Sequence, residues 1–241
     1  MLKDQTITID TLMMHIAGGT VNMRGKFNGS DHEKITFRSR IRFEQVDLAK
    51  MMLKLDHFGQ DVVINKNVKG KISGEIKSNV QVHPDLMPML SNTKATLTLK
   101  IYNGSLENFA PMQAMAGYFK DKNLRLIRFD TLANKLTFTN GVLDIPEMDI
   151  NSSLGYIQIS GKQSLDLSME YYLRVPMKVV TKAGFTALFH KKQEEVDLTQ
   201  VDQIEYIDKD KKIAFMNLKV TGTKDGHYDV ALGKNKKKKS I

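Results

Sequence analysis

The stretch GYIQISGKQSLDLSMEYYLRVP, residues 155–176, holds its apolar side chains in one register. Ile157, Ile159, Leu165, Leu167, Met169, Tyr171, Leu173 and Val175 are all odd-numbered, and the residues between them are nearly all polar. A period of two is the mark of a strand with one buried face. Ordinary strands run roughly 5–6 residues, so a face sustained this long requires two strands that present the same side. Gly161-Lys162-Gln163 is the natural place to turn, and pairing of Ser160 near Ser164 would keep the odd positions of both arms together.

The same period recurs upstream. KITFRSRIRF sets Ile35, Phe37, Ile41 and Phe43 against Thr36, Arg38, Arg40 and Arg42, and TLTLKI aligns Leu97, Leu99 and Ile101. In NVKGKISGEIKSNV, Val68, Gly70, Ile72, Gly74, Ile76, Ser78 and Val80 share one face, which is toothed, with large side chains separated by gaps. Glycine inside a strand marks a bulge or a close approach. Asn28-Gly29, Asn103-Gly104, Asn140-Gly141 and Asp225-Gly226 each carry the two-residue hairpin signal between strand-like segments. NGSLENFAPM and NGVLDIPEM form a faint internal echo, each a turn leading to a strand and a Pro-Met element.

Helical spacing is confined to short pieces. Leu48, Met51, Met52 and Leu55 fall at i, i+3, i+4 and i+7 behind Asp47 as N-cap, and Met112, Met115, Ala116 and Phe119 follow Pro111 in the same way. A weaker third segment covers residues 177–189. The expected fold is therefore mainly β: long antiparallel strands in a curled, trough-like or partly open barrel sheet, with two or three short amphipathic helices.

No catalytic constellation accompanies this pattern. The chain has no Cys, which excludes thiol chemistry, and its histidines (His15, His32, His57, His83, His190 and His227) have no metal-ligand spacing. Glu194-Glu195 and Asp208/Asp210 lie in Lys-rich, solvated segments, whereas a catalytic carboxylate pair needs environments that separate its two pKa values. No cofactor, metal site or enzymatic activity is expected. Arg38, Arg40 and Arg42 face away from Phe37 and Phe43, so bases could not stack on a surface that also holds the phosphates, and a nucleic-acid partner is not expected. Of the net charge of +9, five units sit on Lys234, Lys236, Lys237, Lys238 and Lys239. That run reads as a solvated disordered tail, with contact to anionic lipid as the alternative role of Lys236 to Lys239. No apolar run approaches the length of a membrane span, and the first residues do not begin a signal peptide.

The segments NGSLENFAPM, RFDTLANKLTFTNGVLDIPEMDINSSLGYIQISGKQSLDLSMEYYLRVPMKVV and LKVTGT…YDVALGKNKKKK resemble the AsmA-like C-terminal region of bacterial envelope proteins of the AsmA/TamB type, in its Bacteroidetes form. The resemblance implies an N-terminally anchored periplasmic β body with an apolar groove, associated with the inner or outer membrane. It implies phospholipid movement between the membranes, outer-membrane integrity and a possible envelope protein partner. It divides the chain into a β-rich segment at 1–93 continuing a longer repeat-like body, with a short helix near 47–57. An AsmA-like region follows at 94–233, then a basic tail at 234–241. The chain resembles a C-terminal piece without the anchor.

A wide sheet with one apolar face must fold on itself, be covered or hold a ligand, since each fully buried aliphatic side chain contributes about 1.5–3 kcal/mol. Val68, Ile72, Ile76, Val80, Leu97, Leu99, Ile157, Ile159, Leu165, Leu167 and Leu173 are the candidates to line a groove for phospholipid acyl chains. Leu48, Met51, Met52, Leu55, Met112, Met115 and Phe119 are the candidates to plug it. The competing expectation is a structural or protein-interaction module whose sheet is filled by its own side chains.

Overall fold

In the computed structural model the described residues are 2–3, 5–31, 34–54, 66–85, 87–119, 122–180, 202–208, 210, 212–223 and 225–233. Among them the alternation becomes twelve strands: β1 (Leu2–Lys3), β2 (Thr6–Ile16), β3 (Gly19–Asn28), β4 (Thr36–Asp47), β5 (Val68–Val82), β6 (Pro88–Glu107), β7 (Leu126–Thr139), β8 (Val142–Ser152), β9 (Gly155–Ser164), β10 (Met169–Pro176), β11 (Phe215–Gly222) and β12 (Tyr228–Leu232). They form one antiparallel sheet whose spatial order is the chain order. The two edge strands do not pair, so the sheet is a curled trough and not a closed barrel. It continues without a break through residues 93 and 94, which lie inside β6.

Because neighbouring strands run in opposite directions, the connections sort to two ends. The β3–β4, β5–β6, β7–β8, β9–β10 and β11–β12 links meet at one end and carry no helix among the described residues. The other end carries helix α1 (Leu48–Lys54) after β4, helix α2 (Ala110–Gln113) with the 3-10 turn Ala116–Tyr118 after β6, and the 3-10 turn Met177–Val179 after β10. Asp47 caps α1 as expected, its Oδ1 accepting the Lys50 N–H at 3.0 Å. The spacing of Met112, Met115 and Phe119 produces only one α-helical turn before the backbone tightens to 3-10, yet all three side chains are buried. The third expected helix is not continuous: Val180 is already extended and bridges Phe119, and residues 181–189 lie outside the described residues.

Turn chemistry was the less legible part. Asn140 and Gly141 have φ of 51° and 82° and make the expected two-residue hairpin, and Gly226 (φ 77°) turns β11 into β12. Asn103-Gly104 does not turn the chain. It sits inside β6, Asn103 at φ 48°, where a Cβ on Gly104 would come within 2.2 Å of the Phe129 ring. The echo between NGSLENFAPM and NGVLDIPEM therefore joins a mid-strand kink to a true turn. Asn28-Gly29 ends β3 but opens a longer connection to β4.

The turn expected at 161–163 lies further on. β9 runs straight through Gly161, and the chain turns after Ser164, where Leu167 adopts φ 66° and the Ser168 N–H donates to Asp166 Oδ1. Gly161 is needed for close approach: a Cβ there would meet Tyr171 Cδ1 at 2.4 Å. Ser160 consequently pairs with Tyr172, and Ile159 with Leu173. The odd positions of both strands still share one face, but Leu165 and Leu167 lie in the turn and Leu165 is 47% exposed. They do not line a groove. In β8 a bulge at Pro146-Glu147, where Ile145 pairs with Gly161 and Met148 with Ile159, brings odd-numbered Leu143 and Ile145 and even-numbered Met148 and Ile150 to that same face.

Candidate functional site

The inner, apolar face of the sheet is not uniform, because what covers it comes from the helical end. Under β7 to β11 it is filled by the chain itself. Met112, Met115, Tyr118 and Phe119 from the α2 region pack with Ile127, Phe129, Ile150, Leu154, Ile157, Leu173, Val175, Leu218 and Val220 in one buried cluster. The Tyr118 hydroxyl donates to the Val230 carbonyl at 3.0 Å, tying this plug to the last strand. A second, smaller cluster lies under α1, where Leu48 and Met52 cover Phe43, Val46, Val68 and Ile72, with Met51 partly buried beside them.

Away from these plugs the inner face of β2 to β7 has no covering layer among the described residues. Leu12, Met23, Ile41, Ile76, Leu97 and Leu136 are successive register partners across six strands. All are apolar, none is buried, and Leu12 is 40% exposed. Nearer the hairpin end a second row runs through Ile7, Phe27, Phe37 and Val80, with the two phenylalanine rings 6.5 Å apart.

Between the two rows lies a line of small side chains, Ser39, Ser78 and Ala95, also in register. Ser39 Oγ and Ser78 Oγ lie 2.7 Å apart and satisfy one another, so the floor of this furrow presents little unpaired polarity. The gaps of the toothed β5 face thus have three fates. Gly70 is a bulge at φ 133°, and the space above Gly74 is occupied by Phe43, whose Cζ would lie 3.1 Å from a Cβ there. Ser78 keeps its gap open.

The candidate residues divide accordingly. Val80 and Leu97 lie half-buried on the open face, and Ile76 and Leu99, also half-buried, sit at its border against the smaller cluster; Val68, Ile72, Ile157 and Leu173 are buried beneath the plugs, and half-buried Ile159 packs against the larger one. Leu55 and Lys236 to Lys239 lie outside the described residues. Leu12, Met23, Phe27, Leu136 and Phe138 join the open face without having been singled out, and Phe37 and Ile41 join it from a face already recognised as apolar. Their signal is cross-strand and emerges only when register is known. No family model, curated protein or solved structure matches this chain. What the site can do chemically follows from its geometry.

That geometry includes no grouping of three or more His, Asp or Glu side chains able to hold a metal among the described residues, and no helix there is long and apolar enough to cross a membrane. A concave space of about 380 Å³ on the outer face of β9 to β11 is lined by Gln158, Tyr172, Arg174, Phe215 and Asn217. Its aromatic surfaces are already engaged, with Arg174 4.4 Å from the centre of the Phe215 ring and Lys219 5.7 Å from that of Tyr172. On the inner side of the same strands, burial pushes the Tyr171 phenol up to about 12, with the nearby Tyr228 adding to the effect; it remains neutral and donates to Gln163 Oε1 at 2.7 Å.

The plugged end is fastened by charge as well as packing. Lys122 Nζ donates to the Ser153 carbonyl and lies 3.1 Å from Glu205, which also pairs with Lys178; Asp202 accepts the Asn123 N–H, and the Glu205 N–H donates to the Ser152 carbonyl. Burial works against ionisation of Glu205 as the largest single influence. The hydrogen bonds from Lys178 and Lys122 and the charges of those two ammonium groups together outweigh it and hold the carboxyl below its ordinary value of 4.5. A depressed folded-state pKa means that the stabilisation is fully present above 4.5 and is lost as pH falls through the lower value. Thermal unfolding midpoints measured from neutral to acid pH should fall less for Glu205→Gln than for the parent across that window; equal slopes would show that the contact contributes nothing.

Proposed function

We propose that this protein is a non-enzymatic bacterial envelope protein that binds phospholipid acyl chains on the open inner face of β2 to β7. The observation that carries this reading is the apolar row from Leu12 to Leu136, incompletely covered across six hydrogen-bonded strands while the inner face nearer the helical end is closed by α1 and the α2 region. Monomeric proteins rarely leave so continuous an apolar surface to water unless something binds there. An acyl chain has no polar group to satisfy and needs only an apolar track. The furrow over Ser39, Ser78 and Ala95 offers a lane between two raised rows. The headgroup would stay wet at the hairpin end, opposite the plugs.

The resemblance to AsmA-like envelope proteins is consistent with this mechanism and would imply a periplasmic location, in a longer, membrane-anchored protein supporting lipid traffic and outer-membrane integrity. The direct test is to extract lipid from the purified protein and to label it with a photoactivatable phospholipid. Phospholipid should co-purify, and cross-links should map to β3 to β7 and spare β9 to β11. A protein free of lipid and unlabelled overturns the proposal.

A second reading is favoured by the edge of the sheet. β1 pairs only with Thr6 and Ile7, so the outer edge of β2 beyond them has no strand partner among the described residues. Met13 beside it is 59% exposed. An open edge of this kind is a template for pairing with another strand, as a structural or protein-interaction module would use it. Displacement of a fluorescent fatty-acid analogue by phospholipid separates the two readings, since an interaction module binds neither.

A further inference from the structure

The face opposite the candidate site carries the stronger electrostatic signal. On the outer side of β3 to β5, Arg24, Arg40 and Lys77 are directly opposite one another across three strands, and Lys26 is directly opposite Arg38 in the next row. Like charges placed opposite each other in an antiparallel sheet disfavour the pairing. Folding alone would select alternating charges there. One carboxylate answers the cluster: Glu75 lies 2.9 Å from Arg42, 3.1 Å from Lys77 and 3.6 Å from Arg40. Arg24, Lys26 and Arg38 have no ion-pair partner among the described residues and are exposed. Beside them a concave space of about 270 Å³ is lined by Met13, Thr20, Asn22, Arg24, Arg40, Arg42 and Glu44. Three guanidinium groups and the Asn22 amide there can donate to a phosphodiester, and exposed Met13 adds an apolar contact at the rim.

We propose that the outer face of β3 to β5 docks on an anionic phospholipid bilayer, with a headgroup phosphate seated between Arg24, Arg40 and Arg42. The choice of a bilayer over a nucleic acid rests on the acyl-chain reading of the inner face. It is also favoured by Phe27, Phe37 and Phe43 lying on the inner face, which leaves the basic surface without the stacking platform a single strand requires. The charged outer face would hold the protein at a membrane while the apolar inner face takes or releases a chain.

Vesicle sedimentation tests this, comparing phosphatidylcholine alone with a mixture containing one third phosphatidylglycerol. Binding should require the anionic lipid and weaken between about 0.1 M and about 1 M salt, where the screening length falls from about 10 to about 3 Å. The triple variant Arg24→Gln, Arg38→Gln, Arg40→Gln should lose about a hundredfold in vesicle affinity. Its thermal midpoint should be unchanged or raised, because opposed like charges have been removed. A variant with Lys236, Lys237, Lys238 and Lys239 all changed to Gln should keep its binding.

Undiminished vesicle binding by the triple variant, loss of binding in the tail variant alone, or tighter binding to a single-stranded RNA homopolymer than to vesicles overturns the proposal. Fatty-acid analogue binding is measured on the same triple variant. If it persists while wild-type protein ignores anionic vesicles, docking fails and the acyl-chain site stands. If wild-type protein sediments with vesicles but binds no analogue, the acyl-chain site fails instead.

Discussion

Leu218→Ala is expected to destabilise the protein by about 3–5 kcal/mol, the upper part of the range for deleting a buried leucine side chain. Leu218 is 0% exposed at the middle of β11, where it pairs with Leu173 on one side and Leu232 on the other. It belongs to the cluster that includes Met115, Leu154, Val175 and Val220, all almost without solvent contact. Two strands fix its backbone laterally and the α2 region closes the cluster from within, so the cavity left by truncation has little freedom to collapse. Urea denaturation should move the midpoint while leaving the slope unchanged, the signature of lost stability without a change in the surface exposed. Leu97→Ala, the same substitution on the half-exposed face, should cost about 1 kcal/mol. Equal losses at the two positions would mean that the open face is covered in solution.

That contrast could not have been read from the chain. Ile72 and Ile76 stand four residues apart in one strand with the same parity and the same chemical character, and Leu97 and Leu173 look alike in their own alternating runs. Alternation reports which side of a sheet a residue faces. It is silent on whether anything lies over that side. Ile72 is buried because α1 comes down on it, and Leu173 because the α2 region comes down on it, whereas Ile76 only borders the smaller cluster and stays half-buried, and Leu97 packs against neither. Helices and plugging side chains were legible, Asp47 and Met115 among them, because caps and i, i+4 spacing are local. The end of the trough they close is set by strand direction, which requires the whole order of pairing. Turns misled for a related reason. Asn103-Gly104 and Asn140-Gly141 are the same dipeptide with similar local preference for positive φ, and only the ring of Phe129 seated on Gly104 distinguishes a kink within a strand from a hairpin. Gly161 looked like a turn residue and is a space for Tyr171.

The open face can be challenged without disturbing the core. Ile41→Glu combined with Leu97→Glu places two carboxylates on the central apolar row, separated by Ile76 so that they do not oppose each other directly. Both positions are only half-buried, so each carboxylate can reach water in the free protein, and unfolding measurements should show a loss of about 1–2 kcal/mol. An acyl chain laid over the row would strip that hydration and offer nothing in return, and burying an unpaired charge costs several kcal/mol. Affinity for a fluorescent fatty-acid analogue should therefore fall at least about a hundredfold. Leu218→Ala acts the other way: below its own unfolding transition it should bind the analogue as the parent does, since β11 contributes nothing to the furrow between Ser39 and Ala95. If the double variant binds unchanged, acyl chains do not use this row. Strand pairing at the β2 edge is then the reading that remains, and the same two substitutions, two and four strands away from Met13, should have no effect on self-association.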